Sequence, residues 1–421
     1  MNQALSIDVK HHAALDQRME KAVRNIRLLQ SVSWHQDVQQ KFLANWRSGI
    51  KKLPEVEYRA EQHFSTREEL SSIAEAADIE HPLGRYVQRT ANSWINATHL
   101  LEALGTTQVT DYSIKLFGRP GDALPGNGPS NIVAAQHFIS LANELDGELS
   151  GIEADYCLSA QTVQKELQEA LDRFFVLHKV DVELDPNLIA KAAAGPTRIR
   201  LRDNTCFTEY DRHQLLEHEA FVHSLTALNG REQPHFKSLA RNSPRITATQ
   251  EGLATFAELI TGAIDIERMK RISLRILAID KALHGADFLE VFQFFLAAGQ
   301  TDTDSFSSTQ RVFRGVPVTG GAAFTKDTVY LHGLLSVHTF FRWCLRNKRL
   351  RLTRLLFAGK MSLQDVFDLE PMFDDGVLRE ALYLPPWIQR ANGLAGMLAF
   401  SLFANQIKLD TVDADDLVLG L

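Results

Sequence analysis

The sequence predicts a mostly helical α+β fold in which helix exceeds strand several-fold and a small sheet lies beside one central helix. Three observations carry this. Apolar residues recur at helical spacing through most of the 421 residues, and a hydrophobic content of 45% is ample for a large core. Strand-like alternation is confined to two short runs, Val176 to Leu184 and Arg198 to Arg202. No internal repeat and no low-complexity segment breaks this pattern, which sets solenoids and disorder-based functions aside.

From residue 15 to 105 the chain reads as helical and charged, with Ser65 to Glu68 as a capping box and Gly105 closing a pattern that starts near Pro82. We take residues 1–110 as a helical N-terminal layer and 111–421 as the core, two parts that can pack as one compact unit. The loop from Phe117 to Pro129, rich in Gly and Pro, is the strongest loop signal in the chain. Ser130 then opens a helix, and a second runs from Ser159 to Phe175. The Arg198 to Arg202 run, apolar and basic in turn, is expected to form a half-exposed edge strand to which an extended peptide could pair. Its plain alternative is a structural strand with a solvated basic face.

The stretch Asp211 to Gly230 is the central helix, with Asp211 as cap and Asn229-Gly230 as stop. A second helix starts at Thr247 or Thr249 and carries Glu251 in its first turn. Amphipathic helices follow near 265–284 and 287–298, then Arg311 to Gly315, a Gly320-Gly321 turn, and a helix from about 327 to 346 bearing Tyr330, His332 and His338. Its end is basic, from Arg342 through Arg354. Such a run is ordinarily a solvated helix terminus; docking of acidic protein tails is the sharper alternative. Short helices near 351–358 and 362–370, the latter capped by Ser362 and Asp365, lead to a Pro-Pro turn and a final helix.

Composition bounds the function. A net charge of -7 argues against a nucleic-acid binder. The first thirty residues lack the apolar core of a signal peptide, and Leu394 to Ala404 is about half the roughly 20 residues that span a bilayer. No membrane partner is expected. Three cysteines, Cys157, Cys206 and Cys344, are far apart and odd in number, which fits a reduced cytoplasm.

The chemistry sits in His218-Glu219-Ala220-Phe221-Val222-His223. Two imidazoles with an adjacent carboxylate are what a hydrolytic zinc site needs, and Glu251 would complete a His₂Glu set. The plainer alternative, two ordinary helix histidines with one buried against backbone, leaves no metal site. The spacing is one residue longer than in the common zinc-peptidase helix. In a regular α-helix a spacing of five separates the two histidines by about 140° around the axis, against about 40° for a spacing of four. A single ion at roughly 2.0 to 2.1 Å from each nitrogen cannot be shared across that angle. The sequence therefore predicts a π-bulge between His218 and His223, which returns both side chains to one face.

Gln250-Glu251-Gly252-Leu253-Ala254, together with the HExxxH helix, Asn229-Gly230, Gln233-Pro234 and Phe324-Thr325-Lys326-Asp327 with Tyr330 and Gly333, resembles the tyrosine carboxypeptidases typified by the tubulin detyrosinase, whose bacterial members are known as flavohaemoglobin expression-modulating QEGLA motif proteins. The resemblance runs from about residue 25 to the end. It implies one zinc ion on His218, His223 and Glu251, with Glu219 as catalytic base. The long N-terminal extension of the eukaryotic members has no counterpart here, so tubulin and microtubule binding are not carried over. We read the core as zincin-like and the activity as a zinc carboxypeptidase acting on peptides or protein C-terminal tails. A free terminal carboxylate needs a cation, and Lys326, Arg311 and Arg314 are the candidates, with Tyr330 as hydrogen-bond donor to that carboxylate or to the oxyanion. Two alternatives stand beside this reading: a regulatory protein that keeps the metal for structure, and an aminopeptidase or endopeptidase on the same site.

Overall fold

Helices make up most of the chain, as its apolar spacing requires, and the few strands serve to frame one of them. The computed structural model describes residues 6–149, 157–186, 188 and 191–406. The first part of the chain folds into helices Ile7–Ala22, Leu28–Ser31, Gln36–Arg47, Phe64–Ala76, Pro82–Glu102 and Gln108–Phe117. Pro82 opens the longest of these, and Gly105 follows its end at φ +84°, a left-handed conformation that suits glycine. The Ser65 capping box does not form. His63 occupies the cap position, and the carboxylate of Glu102 accepts from His63 N–H and from Arg67 instead. A partner from a neighbouring helix thus replaces the local cap.

This part is joined to the rest of the molecule by aromatic packing. Trp34 and Phe42 lie against Phe288, Phe292 and Phe306, all fully or nearly fully buried. A polar link adds to it. Buried Asp16 accepts from Ser238 N–H and from its hydroxyl, and Tyr86 shares that hydroxyl at 2.7 Å.

Five short strands are present among the described residues: β1 (Leu158–Ser159), β2 (Asp181–Asp185), β3 (Ala192–Ala194), β4 (Arg198–Arg202) and β5 (Cys206–Phe207). β1 pairs with β5; the other three form a sheet in the order β2-β4-β3, parallel then antiparallel. The expected edge strand, Arg198 to Arg202, is therefore the central one. Its Ile199 and Leu201 are fully buried, while Arg198 pairs with Glu183 and Arg200 with Asp185 of β2. The outer edge of β2 is covered: Gln164 and Gln168 from the helix Ala160–Phe174 bond Val182 and Val180. β3 forms the other edge.

The cysteine expectation also needs correcting. Cys157 and Cys206 form a disulfide across the β1–β5 pair, with Cα atoms 5.1 Å apart, leaving only Cys344 free. The pairing of β1 with β5 brings near each other two cysteines that lie 49 residues apart along the chain. The cysteine count thus no longer argues for a reducing compartment.

Three further helices set the site. A helix begun by a Thr208–Asp211 capping box, with Thr208 rather than Asp211 as the cap, passes into a π-helix, Leu215–Ser224, and on into Leu225–Arg231. Asn229-Gly230 does not end it. Asn229 is instead buried, bonding the backbone of Phe357 and Tyr383, and a Cβ on Gly230 would meet the Leu239 carbonyl at 2.1 Å. The helix Thr247–Thr261 holds the QEGLA motif, and it crosses the helix Val329–Arg346 at Gly252 and Gly333. Two of the six cations in the basic run that ends and follows the latter helix are paired: Arg349 with Glu370, and Arg351 with Asp374 and Glu380. Among the described residues no helix is long and apolar enough to cross a membrane.

Candidate metal centre and its cleft

The π-helix settles the geometric problem posed by the five-residue spacing. Leu225 N–H donates to Ala220 O, an i to i+5 bond, and the π-pattern runs over ten residues, longer than a single-turn bulge. The histidine rings are brought to one side, their centroids 4.8 Å apart and nearly perpendicular. β3 buttresses this turn, since Ser224 donates to the Gly195 carbonyl at the strand's end.

Glu251 completes the cluster from the facing helix. Its Oε2 lies 3.6 Å from His218 Nε2 and 3.7 Å from His223 Nε2, and ligand atoms of all three residues lie within 4.8 Å of one another. Tetrahedral zinc with bonds near 2.0 to 2.1 Å would set its ligands about 3.3 Å apart, so the donor set fits such an ion after small adjustments. Its chemistry fits as well. His218 Nδ1–H donates to Glu258 Oε1 at 2.6 Å, leaving Nε2 to face the cluster, and Glu258 is itself held by Arg268 at 2.5 and 2.8 Å. Burial alone would raise Glu258, but Arg268 and His218 hold it below the usual carboxylate range. Burial would likewise lower His218, yet the bonds to Glu251 and Glu258 prevail and push it up to about 10. An ion bound here would have to displace that proton, which would couple binding to pH.

The remaining residues nominated from the sequence lie round the same cleft, of about 1010 Å³, which Glu219, Arg311, Arg314, Lys326 and Tyr330 all line. They divide by partner. Lys326 Nζ donates to Glu251 Oε1 at 3.0 Å, so it holds that carboxylate rather than standing free. Glu251 is held well below the ordinary range; burial opposes this, and Lys326 leads the groups that outweigh it. Arg311 forms a two-bond pair with Asp327 at 2.5 and 2.7 Å. Both cations also approach the Tyr330 hydroxyl oxygen, at 3.5 and 3.4 Å. Arg314 has no such partner among the described residues; its Nε is buried without a hydrogen bond, and burial pushes its guanidinium down to about 10. His332 and His338 do not line the cleft.

Glu258, Asp327 and Lys360 were not among the nominated residues. Glu258 sits seven residues after Glu251, two turns on along one helix face, and that spacing was a usable signal. Asp327 lies within a motif already singled out. Lys360 comes from the loop after the basic helix end, and nothing local marks it. The edge that faces this cleft is β3: Ala192, Ala193, Ala194 and Gly195 line it. Register leaves the outward N–H and C=O groups of Ala192 and Ala194 unpaired among the described residues, since alternate residues point to β4.

The sequence matches the family described as Microtubule-associated tyrosine carboxypeptidase over residues 40–406. No curated protein matches it.

Proposed function

Since this chain belongs to the microtubule-associated tyrosine carboxypeptidase family, we propose that it is a zinc-dependent carboxypeptidase with a zincin-like core, hydrolysing the last peptide bond of a peptide or protein tail. The convergence of His218 Nε2, His223 Nε2 and Glu251 Oε2 beside Glu219 carries this reading. Bound there, zinc would polarise the scissile carbonyl and bring the pKa of a water towards roughly 7. Among the described residues the candidate cluster has three members rather than four, which favours this over a closed structural site.

The chain's own residues supply the remainder. Glu219 accepts the proton of the attacking water on its carboxylate and returns it to the leaving amine. Tyr330, whose oxygen accepts from Lys326 and Arg311, keeps its own O–H proton to donate to the oxyanion. The substrate main chain lies along the free edge of β3, replacing the edge role first given to Arg198 to Arg202. Of the three cations nominated for the terminal carboxylate, Lys326 and Arg311 retain carboxylates of their own, and Arg314 has none among the described residues.

Metal analysis of the purified protein, run with a panel of peptides ending in Tyr or other residues and read by mass spectrometry, tests the proposal. Stoichiometric zinc and loss of one C-terminal residue are expected. Cleavage inside the peptide, or equal cutting of free and amidated termini, would reject the carboxypeptidase reading, and absence of zinc would reject the metal site.

A further inference from the structure

Among the described residues, two cations of the cleft that are not solvent-exposed meet no carboxylate within ion-pair distance. One is Arg314; the other is Lys360. Lys360 is the more buried, at 4% exposure, and its ammonium makes a single hydrogen bond, to Gln250 Oε1 at 3.1 Å. The same oxygen accepts from Thr226 Oγ1 at 3.1 Å. An ammonium can only donate, so the amide is fixed with its oxygen towards Lys360 and its nitrogen turned away. Gln250 Nε2 is then buried with no partner. Both side chains line the cleft that holds His218, Glu219, His223 and Glu251.

Buried donors in native proteins are almost always met, and a charged one left unmet is costly. Here an ammonium with unused hydrogens and an amide N–H stand together at the wall of a cleft. They ask for an acceptor with two oxygens. The described residues offer none, and the loops are built to keep the arrangement: Asn229 and Gln233 clamp the backbone at Phe357 and Ala358, and Lys360 N–H donates to Leu239 O.

Resting on the carboxypeptidase reading, we propose that Lys360 and Gln250 receive the terminal carboxylate of the substrate. One residue spans at most about 3.6 Å, so this receptor must stand directly beside the metal centre. Gln250 is the chain neighbour of Glu251, and the carboxylates felt by Lys360 are those of Glu251 and Glu219. Arg314 is set instead among Arg311, Asp327, Tyr330 and Tyr58. Burial pushes the Lys360 amine down to about 7, as befits a cation without a counter-ion. A carboxylate bound to it supplies one.

The experiment compares kcat/KM on one peptide as free acid and as C-terminal amide, for the zinc-loaded wild type, Lys360→Met and Arg314→Met. Each acid-to-amide ratio is internal to one sample, so a partly inactive preparation leaves it unchanged. The wild type should prefer the acid strongly. Lys360→Met should cut the rate on the acid roughly 10- to 100-fold, the worth of a hydrogen bond to a charged group, and leave the amide rate and zinc content unchanged. Gln250→Met should shift the ratio in the same direction by less. In a Glu219→Gln background the same preference is read as a ratio of dissociation constants. Equal losses on acid and amide in Lys360→Met, or a collapse of the ratio in Arg314→Met with Lys360→Met intact, overturns the assignment while leaving the carboxypeptidase reading in place. No preference in the wild type overturns both.

Discussion

At the scale of single residues the site divides into groups that would touch the ion and groups that aim them. Glu219 touches neither His218 nor Glu251 by any hydrogen bond, so Glu219→Gln should leave zinc content at the wild-type level. Turnover should fall by at least the roughly 10² to 10⁴ typical of a general base. A peptidase rate that survives this change intact would remove Glu219 from its role. Glu258 is the opposite case, a buried carboxylate whose bond to His218 Nδ1 fixes the tautomer. Glu258→Gln should weaken zinc affinity by about 10- to 100-fold, measured by competition with a chelator, and undiminished affinity would make the contact incidental. The residues legible in the sequence were those carried by short-range patterns: His218, Glu219 and His223 in one turn, and Glu251 in the opening turns of the next apolar helix. Lys360, and the pairing of Lys326 with Glu251 rather than with substrate, follow from the meeting of segments 110 and 75 residues apart. No local pattern records such a meeting.

At the scale of elements, helix spacing reached a feature that is usually hard to foresee. A five-residue interval between two ligands of one ion demanded a π-turn, and the chain forms one from Leu215 to Ser224. Such a turn holds its shape less readily than an α-helix, and metal bonds would offset that cost. Amide exchange over residues 215–225 should therefore quicken when zinc is stripped by a chelator while the helix Val329–Arg346 exchanges as before; equal protection with and without metal would show the π-helix to be self-sufficient. Strand order escaped the sequence because alternation in Arg198 to Arg202 reports two faces but says nothing about which edges are paired. The QEGLA glycine has an equally physical reason. A Cβ on Gly252 would sit 2.2 Å from the backbone of Gly333, so Gly252→Ala must part the helices that carry Glu251 and Tyr330. A loss at the upper end of the roughly 1 to 3 kcal/mol of overpacking is expected, read by denaturant unfolding, together with weaker zinc binding. A fully stable, zinc-replete variant would mean that the crossing relaxes without disturbing the site.

At the scale of the whole molecule, the N-terminal layer is tied to the wall of the cleft through one buried acid. Asp16 lies on the helix Ile7–Ala22, and Ser238, to which it bonds, belongs to the turn Lys237–Ala240; Lys237 and Ala240 of that turn line the cleft. Burial raises the Asp16 carboxyl from 3.8 to about 7, with the Ser238 bonds opposing the rise. The sign of its effect on stability follows from linkage. Between pH 3.8 and about 7 the folded chain holds a proton at Asp16 that the unfolded chain has released. This contribution is whole below 3.8 and is lost as the pH climbs to 7, beyond which the fold carries a buried charge with no cation bonded to it. Asp16→Asn keeps the shape and the hydrogen bonds of the protonated acid while removing its titration. The variant should match the wild type near pH 4 and exceed it at pH 8, by on the order of a few kcal/mol at about 1.36 per pKa unit. Paired urea unfolding curves at the two pH values measure the difference. A variant less stable than the wild type at pH 8 would show that the carboxylate itself, held by Ser238, is what fastens the N-terminal helix to the wall of the cleft.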